Sequence, residues 1–382
     1  MKNVVILGST GSIGVNTLKV IERFPKDFKV IGLTAYNSIE LLEEQIKKFR
    51  PKYVAVTEKG FAAIKSKWAA PGFKILDIET DLGFLVSLKE VDIVVIAMRG
   101  SAALLPFLSA VRSGKRVAPA NKEALVIAGD ILMREAKKSG AEIIPIDSEQ
   151  SAIFQCLEGQ NRRELKKIYL TASGGALLNV PKSKFNSISI KQILNHPRWK
   201  MGKKITVDSA TLMNKGFEII EALRLFDLSM DQIKVVVHPQ AVIHSMVEFV
   251  DGSILAQMGV PDMRLPIQYA LTYPRRLSSN LESVSFAQLK ELTFMEPDYK
   301  KFPSLALAMT AAKKGGTYPA VLNASDEEAV EAFLEGRITF LKIYSIVERV
   351  FSKHQSVKNP TLADIKEADI WAREQARKII YN

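Results

Sequence analysis

The hydrophobic pattern changes character along the chain and divides it into regions. Over residues 1–147, short apolar runs alternate with amphipathic ones. "NVVILG", "FKVIGLTA", "KYVAV", "VDIVVIAM", "GKRVAPA" and "AEIIPID" read as strands. "VNTLKVIERF", "SIELLEEQIKKFR", "AALLPFLSAVRSG" and "KEALVIAGDILMREAKKSG" read as the helices between them. Apolar strands separated by helices predict a parallel sheet covered on both faces. The expected class is therefore α/β, with an N-terminal Rossmann-like doubly wound sheet over 1–147.

Residues 148–280 lose that alternation. "LKKIYLTAS" reads as a strand and "TLMNKGFEIIEALRLF" as a helix, capped by Ser209 or Thr211. "IKVVVH", "AVIHSMVEFV" and "SILAQMG" are β-rich, and Asp251-Gly252 between the last two predicts a hairpin. A central α+β domain is expected, and its open sheet edge needs a cover or a second copy. Residues 281–300 read as a linker. Over 301–382, four amphipathic segments predict a C-terminal α-helical bundle, with Ser325 and Thr361 as N-caps.

Composition narrows the class without naming a reaction. The 382 residues allow two or three domains. At 47% hydrophobic and 25% charged, the chain reads as a soluble globular protein. No apolar run reaches the roughly 18 residues of a membrane span. The opening "MKNVVILGSTGSIG" breaks into glycines after Leu7 and reads as neither signal nor transit peptide. The one cysteine, Cys156, excludes a disulfide framework and reads as a core thiol. A cytoplasmic protein is expected. The net charge of +12 favours an anionic partner. Nucleic acid, a membrane surface and phosphorylated small molecules are the classes it allows; its lysines fall in short clusters that read as solvated helix faces rather than in a basic stripe with aromatics, so nucleic acid is the weak reading.

Two features carry candidate chemistry. In "GSTGSIG", Gly8, Gly11 and Gly14 lie between the first strand and the first helix. Backbone N–H groups there can meet a pyrophosphate at a helix N-terminus. The second strand ends "LTAYNS", without the acid that an NAD site uses for the ribose, which favours NADP. No basic residue stands at Tyr36, Asn37 or Ser38, so the partner of the 2′-phosphate is unassigned.

The second feature is acidic. "IIPIDSEQSAIF" places Asp147 and Glu149 where a strand gives way to a helix. Taken alone, the pair reads as a helix cap and a first-turn acid. Glu218 changes the balance: it shares a helix face with Asn214, beside Lys215, in an otherwise apolar helix. Three carboxylates suit a hard divalent cation, whereas zinc would call for His or Cys. The four histidines stand elsewhere, and His238 and His244 read as core residues. Ser173 in "TASGGA" is a candidate phosphate contact. "NHPRWKMGKK" reads as a loop on which Trp199 can serve as a lid.

Together "GSTGSIG", "ANKE", "IDSE", "SGG", "HPRWKMGKKITVDSATLMNKGFE", "HPQAVIHSMV" and "PDMRLPI" resemble, in order, the signatures of the 1-deoxy-D-xylulose 5-phosphate reductoisomerase family. The resemblance implies a retroaldol–aldol rearrangement of a ketose phosphate, then reduction by NADPH to 2-C-methyl-D-erythritol 4-phosphate. It implies a homodimer and a divalent metal (Mg2+, Mn2+ or Co2+) held by Asp147, Glu149 and Glu218. Lys122, Ser148, Asn214 and Lys215 would then orient substrate oxygens. Ser173, Ser209, Asn214, Lys215 and His196 would hold the phosphate, and Trp199 and Met201 would cover the substrate. Thr10, Gly11, Ser12, Ile13, Asn121, Glu123 and Gly202 match cofactor positions. Where many members have Gly-Lys-Asn, this chain has Ala35-Tyr36-Asn37, one residue shorter. The competing readings are an NADP-dependent semialdehyde or homoserine dehydrogenase, and a catalytically silent dinucleotide-binding regulator.

Overall fold

The computed structural model describes residues 1–68, 73–195 and 201–381. The chain forms two compact units: 1–124 with 130–151 and 262–281, and 125–129 with 152–261 and 282–382.

The first unit is built on a seven-stranded sheet, in which every pairing is parallel. Its strands are β1 (Lys2–Leu7), β2 (Phe28–Ala35), β3 (Tyr53–Val56), β4 (Lys74–Asp77), β5 (Ile93–Ile96), β6 (Arg116–Pro119) and β7 (Glu142–Ile143). Their order is β4-β3-β2-β1-β5-β6-β7. The chain runs outward from β1 to β4 and then returns to pair β5 with β1. That reversal is a topological switch point, where open α/β sheets bind ligands beyond the carboxyl ends of the strands. Residues Val4–Leu7 and Val94–Ile96 are fully buried, as strands with helices on both faces must be.

The segment 262–281 belongs to this unit although it lies far along the chain. Its helix Arg264–Thr272 packs on the helix Ser12–Arg23. Arg23 donates to Ser278 O at 3.0 Å and to Asn280 Oδ1 at 2.9 Å, and Arg116 donates to Tyr273 O at 2.7 Å.

The second unit holds a four-stranded sheet, ordered β11-β10-β8-β9, and helices. Its strands are β8 (Leu165–Ala172), β9 (Ile233–Val237), β10 (Ile243–Phe249) and β11 (Ile254–Met258). β10 runs antiparallel to both β8 and β11, and the Asp251-Gly252 hairpin forms as expected. Over the expected linker 281–300 stand a short helix, Phe286–Leu289, and a bridge from Met295 to Val237. The C-terminal helices are Pro303–Lys314, Tyr318–Leu334, Phe340–Lys353 and Leu362–Tyr381.

Two expected caps differ. Ser325 lies inside the helix Tyr318–Leu334, buried, its hydroxyl donating to Val321 O at 2.7 Å. The helix begins about two turns earlier, where Pro319 supplies a first-turn proline. Ser209 is no cap either. It lies within a separate helix, Lys203–Thr211, which ends at Leu212 in the left-handed region (φ 60°) before the helix Met213–Phe226 starts. Thr211 Oγ1 accepts from Met213 N–H at 3.2 Å, so the alternative cap lies at the junction. Thr361 does cap its helix, accepting from Asp364 N–H at 3.2 Å.

Candidate active site

The glycine loop follows β1 at the switch point. Its shape is fixed by β2 and by the next helix, Ile39–Phe49. Gly8 N–H donates to Thr34 Oγ1 at 2.8 Å, and Ser9 N–H to Thr34 O at 2.9 Å. Gln45 Nε2 donates to Ser9 O at 2.9 Å, while Ser9 Oγ donates to Gln45 Oε1 at 2.7 Å. Gly14 packs so tightly under the loop that a Cβ there would sit 2.4 Å from Gly8 O. These bonds hold Thr10, Gly11, Ser12 and Ile13 at the start of the helix Ser12–Arg23, with Thr10, Gly11 and Ile13 part-exposed and Ser12 exposed. Thr34 and Gln45 were missed in the sequence, although a buried serine in a tight loop needs such partners. Asn37 is exposed just past β2.

On the other side of the switch, Asn121 joins the turn after β5 to the start of the helix Glu123–Ser139. Its Nδ2 donates to Met98 O at 3.0 Å and Gly100 O at 3.1 Å, and its Oδ1 accepts from Ala124 N–H at 2.9 Å. The adjacent Lys122 is buried, with its ammonium 2.5 Å from Asp147 Oδ2. Glu123 is half-buried in the first turn of the helix Glu123–Ser139, where the dipole favours an acid.

Asp147 immediately precedes the helix Ser148–Leu157, and its carbonyl accepts from Ser151 N–H at 2.8 Å. It therefore has the backbone role of a cap while its side chain is directed to Lys122. Ser148 donates to the Glu149 carboxylate in a short contact.

Glu218 is fully buried on the helix Met213–Phe226. Asn214 Nδ2 donates to Glu218 Oε1 at 2.6 Å, and the buried Lys215 ammonium contacts Oε2. The carboxylate is thus oriented by two residues of its own helix, one turn back, as the shared face predicts. Among the described residues, Asp147, Glu149 and Glu218 each offer a carboxylate oxygen, and these oxygens all lie within 4.8 Å of one another. An all-oxygen set of this kind fits a hard divalent cation.

Ser173 opens the loop after β8, where its Oγ accepts from Gly175 N–H at 3.3 Å. Gly175 has φ +67°, and a Cβ there would lie 2.4 Å from Ser209 O. Only glycine lets the Ser173–Gly175 turn press against the helix Lys203–Thr211 in this way. Ser173 and Ser209 are thereby brought to neighbouring turns of backbone. Met201 and Gly202 are half-buried, and Gly202 stands at the N-cap of that helix, its carbonyl accepting from Thr206 N–H at 3.1 Å. His196 and Trp199 lie outside the described residues.

His238 and His244 are buried, as core residues should be. His238 Nδ1 bonds Thr293 O at 2.9 Å, and its Nε2 accepts from Val242 N–H at 3.3 Å. Cys156 is buried in the helix Ser148–Leu157. No helix among the described residues is long and apolar enough to cross a membrane.

Three family models match the chain in succession. Residues 4–129 match 1-deoxy-D-xylulose 5-phosphate reductoisomerase, 143–226 its C-terminal domain, and 258–375 the DXP reductoisomerase C-terminal domain. A 1-deoxy-D-xylulose 5-phosphate reductoisomerase of Thermodesulfovibrio yellowstonii is 50% identical over 380 residues, covering 100% of both chains. A DOX-P reductoisomerase crystallised with NADPH, fosmidomycin and magnesium superposes with a TM-score of 0.94 at 40% identity, over 100% of this chain and 98% of that one. The Zymomonas mobilis reductoisomerase, crystallised with NADPH, gives 0.93 at 39% identity over 99% of each chain. These matches run the full length and favour the isomeroreductase over the dehydrogenase alternative. The chain belongs to the 1-deoxy-D-xylulose 5-phosphate reductoisomerase family.

Proposed function

We propose that this chain converts 1-deoxy-D-xylulose 5-phosphate to 2-C-methyl-D-erythritol 4-phosphate, using NADPH and a divalent cation, Mg2+, Mn2+ or Co2+. The observation that carries the site assignment is the grouping of three carboxylate oxygens within 4.8 Å. Asp147, Glu149 and Glu218 are the proposed cation ligands. The cation supplies Lewis acidity at the substrate's carbonyl, and NADPH supplies the hydride.

The chain's own residues do the positioning. Lys122 and Lys215 each contact a proposed ligand carboxylate, which balances charge and fixes its orientation. Ser148 and Asn214 stand beside the acids, where a substrate hydroxyl would replace their present bonds to Glu149 and Glu218. Ser173 and Ser209 hold the phosphate, with Lys215, Asn214 and His196 contributing to the substrate site. Trp199 and Met201 cover it and exclude water. Thr10, Gly11, Ser12 and Ile13 meet the pyrophosphate at the helix N-terminus. Asn37, Asn121, Glu123 and Gly202 complete the cofactor set.

A homodimer through the open edge of the four-stranded sheet is part of this reading. β11 is that edge, and Val250, Ile254 and Leu255 are 64%, 50% and 41% exposed around it. Dependence on NADPH fits a cytoplasmic setting. The test is NADPH oxidation with 1-deoxy-D-xylulose 5-phosphate, with and without Mg2+ or Mn2+. Substrate-dependent oxidation abolished by EDTA and restored by metal is expected. Full activity in EDTA would remove the metal from the mechanism.

A further inference from the structure

One cation at the switch point has no task in the chemistry above. β1 and β5 are neighbours in the first unit's sheet, and their last residues, Leu7 and Ile96, stand in register. The glycine loop leaves β1 at that level, and the turn 97–100 leaves β5 beside it. The two segments are in backbone contact. Ala97 N–H donates to Leu7 O at 2.8 Å, and a Cβ on Gly8 would fall 2.7 Å from Ala97 O. Arg99 is the third residue of the turn. It is exposed, and its guanidinium has no hydrogen bond or ion pair among the described residues.

The backbone on both sides of Arg99 is held. Asn121 Nδ2 donates to Met98 O at 3.0 Å and to Gly100 O at 3.1 Å. Gly100 has φ 65° and ψ −164°, a region essentially closed to residues with a Cβ. The turn is therefore fixed beside the glycine loop before a ligand arrives, and binding has only the side chain to order.

Charge points to the ligand. The pyrophosphate of NADPH carries a full negative charge on each phosphoryl group. Residues 8–14 hold no charged side chain, and a helix N-terminus supplies roughly half an elementary charge. Over 8–14 and 97–100 together, Arg99 is the one charged side chain. A guanidinium meets a phosphoryl group with two parallel N–H donors. We propose that Arg99 binds the pyrophosphate of NADPH across the switch point, together with the N–H groups that open the helix Ser12–Arg23. The ribose 2′-phosphate belongs beyond the end of β2. β1 stands between β2 and β5, so that end lies about 9–10 Å from the end of β5, and the pyrophosphate is the nearer anion. The role of Arg99 rests on the seat of the cofactor at Thr10, Gly11, Ser12 and Ile13 proposed above, and adds the charged partner that those residues lack.

Fluorescence titration of NADPH and of NADH tests this on the wild type, Arg99→Ala and Ser12→Asp. Both side chains are exposed, so the variants should fold and melt as the wild type does. R99A should weaken NADPH about tenfold and NADH by the same factor, because both carry the pyrophosphate. Added salt should narrow the gap between wild type and R99A, since the lost contact is ionic. Unchanged NADPH affinity in R99A overturns the proposal. A loss confined to NADPH also overturns it, because it moves Arg99 to the 2′-phosphate. S12D places a carboxylate at the helix N-terminus and tests the seat itself. It should weaken both nucleotides about tenfold or more by like-charge repulsion. If S12D binds both as the wild type does, the seat is overturned and the role of Arg99 falls with it. If S12D binds weakly and R99A normally, the seat stands and the assignment of Arg99 alone is overturned.

Discussion

The acid cluster at Glu218 and the one at Asp326 are built from the same parts to opposite ends. Each sets buried carboxylates against a lysine from a neighbouring turn. Around Lys204, Asp208 and Asp326 approach one ammonium at 2.6 and 3.0 Å. Glu218 has its own lysine and an amide, and it offers a further oxygen to a group with Asp147 and Glu149. Lys122 contacts Asp147 and Lys215 contacts Glu218, and the proposed divalent cation would sit among the three acids. The difference lies in how many acids converge: two approach a single lysine, whereas three carboxylate oxygens within 4.8 Å make a donor set that fits a hard divalent cation.

This contrast predicts that amide substitutions separate the clusters. Glu218→Gln should have the largest effect, lowering kcat/KM by about a thousandfold or more, because an amide is a poor ligand where charge is needed. Its NADPH affinity should be near normal by fluorescence titration. A variant with ordinary turnover would take Glu218 out of the ligand set.

The double substitution Asp208→Asn with Asp326→Asn comes next. It removes two carboxylate charges from beside the Lys204 ammonium, and denaturant unfolding should show a loss of about 3–5 kcal/mol. A loss no larger than the sum of the two single variants would mean that the two acids do not share one charge.

Gly175→Ala should follow. Its Cβ would fall 2.4 Å from Ser209 O at a φ of +67°. The strain should cost about 1–3 kcal/mol and raise KM for the sugar phosphate more than it lowers kcat. Equal KM values would mean that the Ser173–Gly175 turn does not hold the substrate.

The smallest effect is expected on the β8–β10 surface, away from both clusters. Hydrogen bonds from Lys166 and then Tyr169 hold the Glu248 carboxyl down at about 2. Its contribution is therefore present above the ordinary glutamate pKa of about 4 and lost as pH falls toward 2. Glu248→Gln should melt slightly below the wild type at neutral pH and converge with it in acid. A gap that stays constant with pH would assign the loss to packing.

Local patterns made much of this molecule legible in advance. The strand alternation, the glycine loop after β1 and the Asp251-Gly252 hairpin all follow from short-range rules, and all three are formed. The Asn214–Glu218 face is equally local, because helical spacing sets it. What escaped depends on tertiary contact. "KKITVDSAT" is rich in β-branched residues and gives a weak helical signal, yet it is helical and buried along its second half. Its end at Leu212 uses a left-handed leucine that no propensity would select. Ser325 imitated a cap because Asp326, Glu327 and Glu328 follow it like first-turn acids. All three instead serve tertiary ion pairs, Asp326 with Lys204, Glu327 with Arg373 and Glu328 with Arg377. The pairing of Asp208 with Asp326 through Lys204 links distant helices, and no periodicity could announce it.

The central claim is that Asp147, Glu149 and Glu218 hold the catalytic cation, and direct titration of Mn2+ tests it without turnover. Electron paramagnetic resonance of free Mn2+ should show one site per chain in the wild-type protein. In Glu218→Gln that site should weaken by about a hundredfold or more, with NADPH binding unchanged. Equal Mn2+ affinity in the two proteins would contradict the account.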